Sequence, residues 1–153
     1  YLPALKRVKR ISSRNKSGPF MGSEFSYEDL SSFEVEKYSF KFLAEETVNG
    51  VATYKIEQIP TDKNSGYTRQ VVWLDQEHLR GQQVDFYDRK KSLLKTLTFS
   101  DYSLHLDKYW RPMKMNMVNH QTKKSTELNT TSLEFRTGLK DSDFNKATLK
   151  RAR

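Results

Sequence analysis

A chain of 153 residues has the length of one domain, and 35% hydrophobic with 12% aromatic residues excludes a disordered polymer. No cysteine is present, which excludes disulfides and thiolate metal sites, and no apolar run approaches the roughly 20 residues that span a bilayer. The net charge of +8 is uneven: residues 1–19 hold six basic and no acidic side chains, while residues 20–139 hold 16 and 17, so no basic groove with interleaved aromatics is written into the body.

The opening "YLPALKRVKRI" reads as a strand carrying Lys6, Arg7, Lys9 and Arg10, a cluster whose plain reading is a solvated face and which suits anionic lipid headgroups as well as it suits nucleic acid. It starts without Met and without a charged-then-apolar leader, which reads as a trimmed or mature fragment. "SGPFMGSEFSYEDL", residues 17–30, has no period: two glycines, a proline, aromatics and acids crowd together. Within it "SYEDLSSF" is expected to be a short helix capped by Ser26 and answered by Asp29.

From residue 38 onward the pattern has period two, with turn signals every ten or so residues, which predicts an antiparallel sheet. "YSFKFLAEETVNGVATYKIEQIP" is the clearest hairpin, Asn49-Gly50 supplying the positive φ of a tight turn. Alternation puts Tyr38, Phe40 and Phe42 on one face, with Ala52, Tyr54 and Ile56 sharing a face on the return strand. "TRQVVWLDQ", "GQQVDFYD", "SLLKTLTFSDY", "YWRPMKMNMVNHQ" and "STELNTTSLEFRT" follow as strands, giving eight with the first. A final helix is expected over "DSDFNKATLKRA", begun by Asp141 or Ser142.

The usual catalytic constellations are missing from this pattern. His78, His105 and His120 fall on different elements without metal-ligand spacing, and there is no phosphate loop, nucleophile elbow or nucleotide fingerprint. Glu45 and Glu46 alternate across a strand and cannot face one another as a carboxylate pair. The chain reads as a non-enzyme that needs no cofactor. One positive signal is "RPMKMNMVN", where Met113, Met115 and Met117 fall on one strand face. Such a stripe is either ordinary core packing or a soft lining that repacks around flexible acyl chains. The Tyr38, Phe40, Phe42 and Tyr54 face has the same two readings.

"YLPALKRVKRI" followed by "SGPFMGSEFSYEDL" resembles the outer-membrane lipoprotein-sorting protein family, the LolA-like carriers of the bacterial periplasm. The likeness continues in order through "YKIEQIP", "VVWLD", "VDFYD", "LLKTLTF", "YWRPMKMNM" and "SDFNKATLKR". It implies one LolA-like domain over residues 1–153 without the family's N-terminal portion. The implied fold is a strongly curved antiparallel sheet, an unclosed barrel with short helices or loops over its concave face and a C-terminal helix.

The implied function is carriage of lipid or lipoprotein acyl chains through the periplasm toward the outer membrane. Implied partners are that cargo, a membrane exporter or outer-membrane receptor, and peripheral contact with a membrane, but no nucleic acid. An alternative is a structural or adaptor domain that binds an envelope protein. In this light Phe20, Phe25 and Tyr27 join Met113, Met115, Met117, Tyr38, Phe40, Phe42 and Tyr54 as lipid-binding candidates, with Met21 beside them. Glu24, Glu28 and Asp29 are expected at a rim, held weakly by Arg7 or Arg10 of the first strand; the alternative for this segment is a structural loop with a local cap.

Overall fold

The computed structural model describes residues 1–149 and 151, with Pro3 described as backbone only. Among these, the chain builds a seven-stranded antiparallel meander: β1 (Tyr38–Val48), β2 (Val51–Pro60), β3 (Arg69–Asp75), β4 (Gly81–Tyr87), β5 (Leu93–His105), β6 (Tyr109–Asn119) and β7 (Ser125–Asn129). Spatial order equals chain order and the sheet does not close, so β1 and β7 are its edges. The fold is mainly β, as the alternation predicts.

Turn chemistry explains the first hairpin. Asn49 and Gly50 have φ of 51° and 81°, the paired left-handed values of a type I′ turn, and they set the register Val48 opposite Val51. The register then slips between Phe42 and Ala44. Further slips lie between Trp73 and Leu74 on β3 and between Phe86 and Tyr87 on β4, whereas β5 and β6 keep one register past Asp101 in spite of its φ of 54°. Pro112 is tolerated on β6 because β7 ends before reaching it: the β6–β7 ladder stops at Lys114 opposite Asn129.

Three expectations differ from the structure. The predicted opening strand is a tight excursion instead: Leu2 bridges to Arg7 around a 3₁₀ turn at Pro3–Leu5, and Lys6 takes φ 46°. A proline without an N–H, followed by four closely spaced cations, is a poor ladder partner. "SYEDLSSF" forms turns rather than a helix, although the reciprocal cap is made: Ser26 N–H donates to Asp29 Oδ2 at 2.6 Å and Asp29 N–H to Ser26 Oγ at 3.2 Å. Asp29 is held by tertiary partners described below, and they override the local propensity. The C-terminal helix starts later than expected. A 3₁₀ turn spans Asp141–Phe144, then Asn145 breaks it and caps α1 (Lys146–Leu149), its Oδ1 accepting the N–H groups of Ala147 and Thr148. Residues 150 and 152 of the predicted helix lie outside the described residues.

The core sits on one sheet face, here the inner face. Phe25, Tyr67, Val84, Phe86, Leu97 and Met117 form it, with Val72, Leu94, Phe99, Met115 and Leu128 packed against them. The outer face buries Val71 and Trp73 beneath polar side chains: Trp73 Nε1 donates to Glu46, and the Lys55 ammonium lies 4.9 Å from the Trp73 ring centre.

Candidate functional site

Cross-strand register determines which side chains share the inner face. Phe42 pairs with Ile56, Phe40 with Gln58, Gln58 with Gln70, Val72 with Val84, Val84 with Leu97, Leu97 with Met117, Phe99 with Met115, and Met115 with Leu128. The aromatic triplet of β1 and the methionine stripe of β6, separated by 71 to 79 positions in the chain, thus lie on one continuous surface.

Residues 17–30 lie over the β4–β6 half of that surface. Phe25 enters the core. Phe20 and Met21 stay exposed, and Phe20 meets Tyr27 edge to face at 5.5 Å, so of these aromatics it is Phe25 that plugs the sheet. Gly66 marks the closest approach: a Cβ there would stand 2.9 Å from the Ser17 Cβ, so the chain crossing needs a glycine.

The acids of the segment are not held at a rim by the first residues of the chain, and this corrects the expectation. Arg7 and Arg10 are exposed and, among the described residues, pair with none of Glu24, Glu28 and Asp29. Asp29 is instead buried. Its Oδ2 accepts from Lys95 Nζ at 2.7 Å, and the two side chains are only 1% and 5% exposed. Tyr67 donates its hydroxyl to Asp29 Oδ1 at 2.6 Å, which leaves Ser26 Oγ, 3.1 Å away, to donate to the Tyr67 oxygen. Burial, then the Asp29 charge, pushes the Tyr67 phenol well above its ordinary pKa, so it remains a donor.

Lys95 also donates to the Glu24 carbonyl at 2.9 Å, and its ammonium lies over the Tyr67 and Phe86 rings at 5.3 and 5.4 Å. Glu24 accepts from Asn119 at 2.7 Å, while Glu28 accepts from the Ser65 hydroxyl and from Gly66 N–H. The pair is desolvated, so removing one partner would strand a buried charge, a much larger loss than breaking an exposed acid–arginine pair.

Beside this latch the inner face opens into a cavity of about 480 Å³. Val84, Phe86, Leu97 and Phe99 line its apolar part, Phe33 and Tyr38 form an aromatic wall, and Lys16, Lys37, Glu34 and Asp62 lie toward solvent. Phe33 stacks on Tyr38 at 5.1 Å and meets Phe40 at 6.4 Å, and Phe42 meets Tyr54 at 6.5 Å. Apolar surface therefore continues past the cavity onto the uncovered β1 edge, where Phe33, Phe40 and Phe42 are exposed. Burial, followed by the charge of Glu28, raises the Tyr38 phenol, so it faces the cavity as a neutral hydroxyl.

The sequence reading missed Lys95, Tyr67 and Phe33. Lys95 was signalled by its parity: in "LLKTLTF" it alternates with Leu97 and Phe99, so a charge was written onto the apolar face. Among the described residues no group of His, Asp or Glu side chains is arranged to hold a metal, and the three histidines are apart: His78 stacks on Trp110, His105 meets Phe135 with the rings tilted, and His120 meets Thr96.

A family model described as an uncharacterized protein matches residues 1–151. No curated protein matches the chain. Among solved structures, a Vibrio parahaemolyticus domain described as that of an outer membrane lipoprotein-sorting protein superposes with a TM-score of 0.97 at 70% identity, over 99% of this chain and 64% of that one. A DUF1329 family protein from Desulfovibrio piger gives 0.91 at 33% identity, over 97% and 62%. A LolA superfamily protein from Nitrosomonas europaea gives 0.77 at 21% identity, over 96% and 65%, a likeness of fold alone. The chain spans less than two thirds of each of these structures.

Proposed function

We propose that this chain, which belongs to the family whose model matches residues 1–151 and has a LolA-like fold, is a non-enzymatic carrier that binds lipid or the acyl chains of lipoproteins against its inner face and moves them through the periplasm toward the outer membrane. The observation that carries this reading is the cavity floored by Val84, Phe86, Leu97 and Phe99 and continued by Phe33, Tyr38, Phe40 and Phe42 toward an open edge. The aliphatic and aromatic floor suits a flexible chain, although polar side chains, among them Glu28, Asp29, Asn64, Ser65 and Gln70, make up much of the remaining wall; a sixteen-carbon acyl chain gains about 12 kcal/mol on leaving water at about 0.8 kcal/mol per CH₂. The polar lining toward solvent leaves the head of such an amphiphile wet. Met115 and Met117 support the floor from the core side rather than standing in the cavity lining.

A second reading, an adaptor that binds an exporter or another envelope protein, is favoured by the outer edge of β1. Among the described residues no strand pairs with it, and an extended segment would add there by main-chain hydrogen bonds. Native mass spectrometry of the protein isolated from its own host separates the two. The carrier reading predicts a co-purifying amphiphile released on activation; repeated recovery without lipid, in a stable protein complex, would overturn it.

A further inference from the structure

The wall of the cavity is unevenly charged. Glu28, Asp29, Glu34 and Asp62 bring four carboxylates to it, against the ammoniums of Lys16 and Lys37. Two of the acids are answered by ion pairs: Asp29 by Lys95, which lies outside the lining, at 2.7 Å, and Glu34 by Lys37 at 2.6 Å. Hydrogen bonds from Asn64, then the charges of Lys16 and Lys37, hold the Asp62 carboxyl below the ordinary range, so the remaining cation of the lining is directed to Asp62. Glu28 is the acid left over. Partly buried, it is satisfied by neutral donors, the Ser65 hydroxyl and the Gly66 N–H at 2.9 Å, and among the described residues no cationic side chain pairs with it. The nearby Arg89 guanidinium donates instead to the Ser65 carbonyl at 3.3 Å.

Two further observations indicate which kind of cation answers Glu28. Among the described residues no three acidic or histidine side chains are arranged around a metal ion, so an inorganic cation has no cage here. The same cavity does have an aromatic wall: Phe33, 57% exposed, stacks on Tyr38 at 5.1 Å and meets Phe40 edge to face at 6.4 Å. The negative face of an aromatic ring attracts an ammonium, and alkylated nitrogens are held by such rings. Burial, then the Glu28 charge, pushes the Tyr38 phenol up, and Lys37 opposes this only weakly, so the aromatic wall and Glu28 share one negative field. Val84, Phe86, Leu97 and Phe99 supply an apolar floor for the alkyl chain attached to such a head.

We propose that the cavity selects an amphiphile whose head carries an ammonium, with Glu28 as the specificity-determining carboxylate and the Phe33–Tyr38 pair as the aromatic face against the nitrogen. This rests on the carrier reading and names the head of the cargo. Fatty acids still enter, because the floor provides the transfer free energy of the chain whatever the head. The net charge of +8 repels a cation at long range and attracts a carboxylate, so a preference for ammonium runs against the rest of the molecule and has to come from the groups of the cavity itself.

The test is calorimetric titration of the protein with dodecylammonium, dodecyltrimethylammonium and dodecanoate, each below its micelle concentration, at neutral pH and low salt. Both cations should bind about tenfold more tightly than dodecanoate. Glu28→Gln, which keeps an acceptor for the Gly66 N–H, should remove most of that preference and leave dodecanoate binding undiminished. Asp62→Asn should reduce the preference by a smaller factor, and it carries the test if the first variant unfolds. Glu127→Gln, an acid of β7 paired with Lys114, should leave it unchanged. Short-chain phosphatidylethanolamine displacing dodecylammonium better than phosphatidylglycerol does would assign the head to an aminophospholipid, and equal displacement to a simple amine. Equal affinity for all three probes, tighter binding of dodecanoate, or an ammonium preference that survives both cavity variants would overturn the proposal and leave carriage standing. Binding of none of the three would overturn both.

Discussion

Met113, Met115 and Met117 on β6 and Tyr38, Phe40 and Phe42 on β1 project from the same face of one sheet, yet Met117 is wholly inaccessible while Phe42 is 58% exposed. The two triplets have the same alternation. What differs is the cover. Residues 17–30 lie across β4 to β6, fastened by the Lys95–Asp29 pair, and turn that half of the face into core, whereas on β1 the Phe33 ring meets Tyr38 and Phe40 but leaves Phe40 and Phe42 exposed. An apolar strand face thus becomes core or binding surface according to whether another segment is fixed over it, and the fixing is done by a few desolvated polar groups.

The fastening is where this contrast breaks first. Lys95→Met should leave the Asp29 carboxylate buried without its counter-ion and cost about 3–5 kcal/mol in urea unfolding, the largest single effect expected in the domain. Amides of residues 24–29 should lose hydrogen-exchange protection in the same variant, while the Asn49-Gly50 hairpin stays protected. If the loss were below about 1 kcal/mol, the range of an exposed pair, the latch would be an ordinary surface contact.

Comparing the triplets directly sharpens the contrast. Met117→Ala should cost about 2–5 kcal/mol, because it opens a cavity in a site that packs from all sides. Acid provides an effect at a third place. Burial alone would raise the Asp75 carboxyl, but the Arg80 guanidinium and the N–H groups of His78 and Arg80 outweigh it and hold it below the ordinary carboxylate range. A carboxyl depressed in the folded state stabilises above its unfolded pKa, about 3.9, and that stabilisation is lost as pH falls through the folded value. Thermal midpoints should therefore fall below about pH 4, and less steeply in Asp75→Asn than in wild type.

At the small end, Phe42→Ala should change unfolding free energy by no more than about 0.5 kcal/mol, the ordinary range for an exposed position. Yet it should weaken uptake of a fluorescent fatty-acid probe severalfold. Equal destabilisation by Met117→Ala and Phe42→Ala would remove the distinction between covered and uncovered halves.

How much of this could be read in the sequence follows from the same distinction. The meander was legible because period-two alternation and Asn49-Gly50 are local properties of the chain, and so was the sharing of one face by each triplet. The opening strand was misread because alternation alone does not register the lack of an N–H at Pro3 or the repulsion among Lys6, Arg7, Lys9 and Arg10. The site was only half legible. Residues 17–30 stood out by composition, but which side chain would plug the sheet depended on distant partners: Phe25 is buried while Phe20 is not, and Asp29 meets Lys95 across 66 positions. Lys95 breaks the inner-face alternation and is a local trace of a tertiary contact, as is Asn119 opposite it, which meets Glu24.

The central claim is that the surface between residues 28–38 and the β4–β5 part of the inner face holds an acyl chain. A fatty acid carrying a diazirine on its chain, photolysed with the protein and mapped by peptide mass spectrometry, tests it most directly. The account predicts saturable labelling, competed by unlabelled fatty acid, at Phe33, Tyr38, Val84, Leu97 and Phe99, reduced in Phe42→Ala. Labelling that does not saturate, or that falls only on Leu79, Leu106 and other exposed tips, would contradict it.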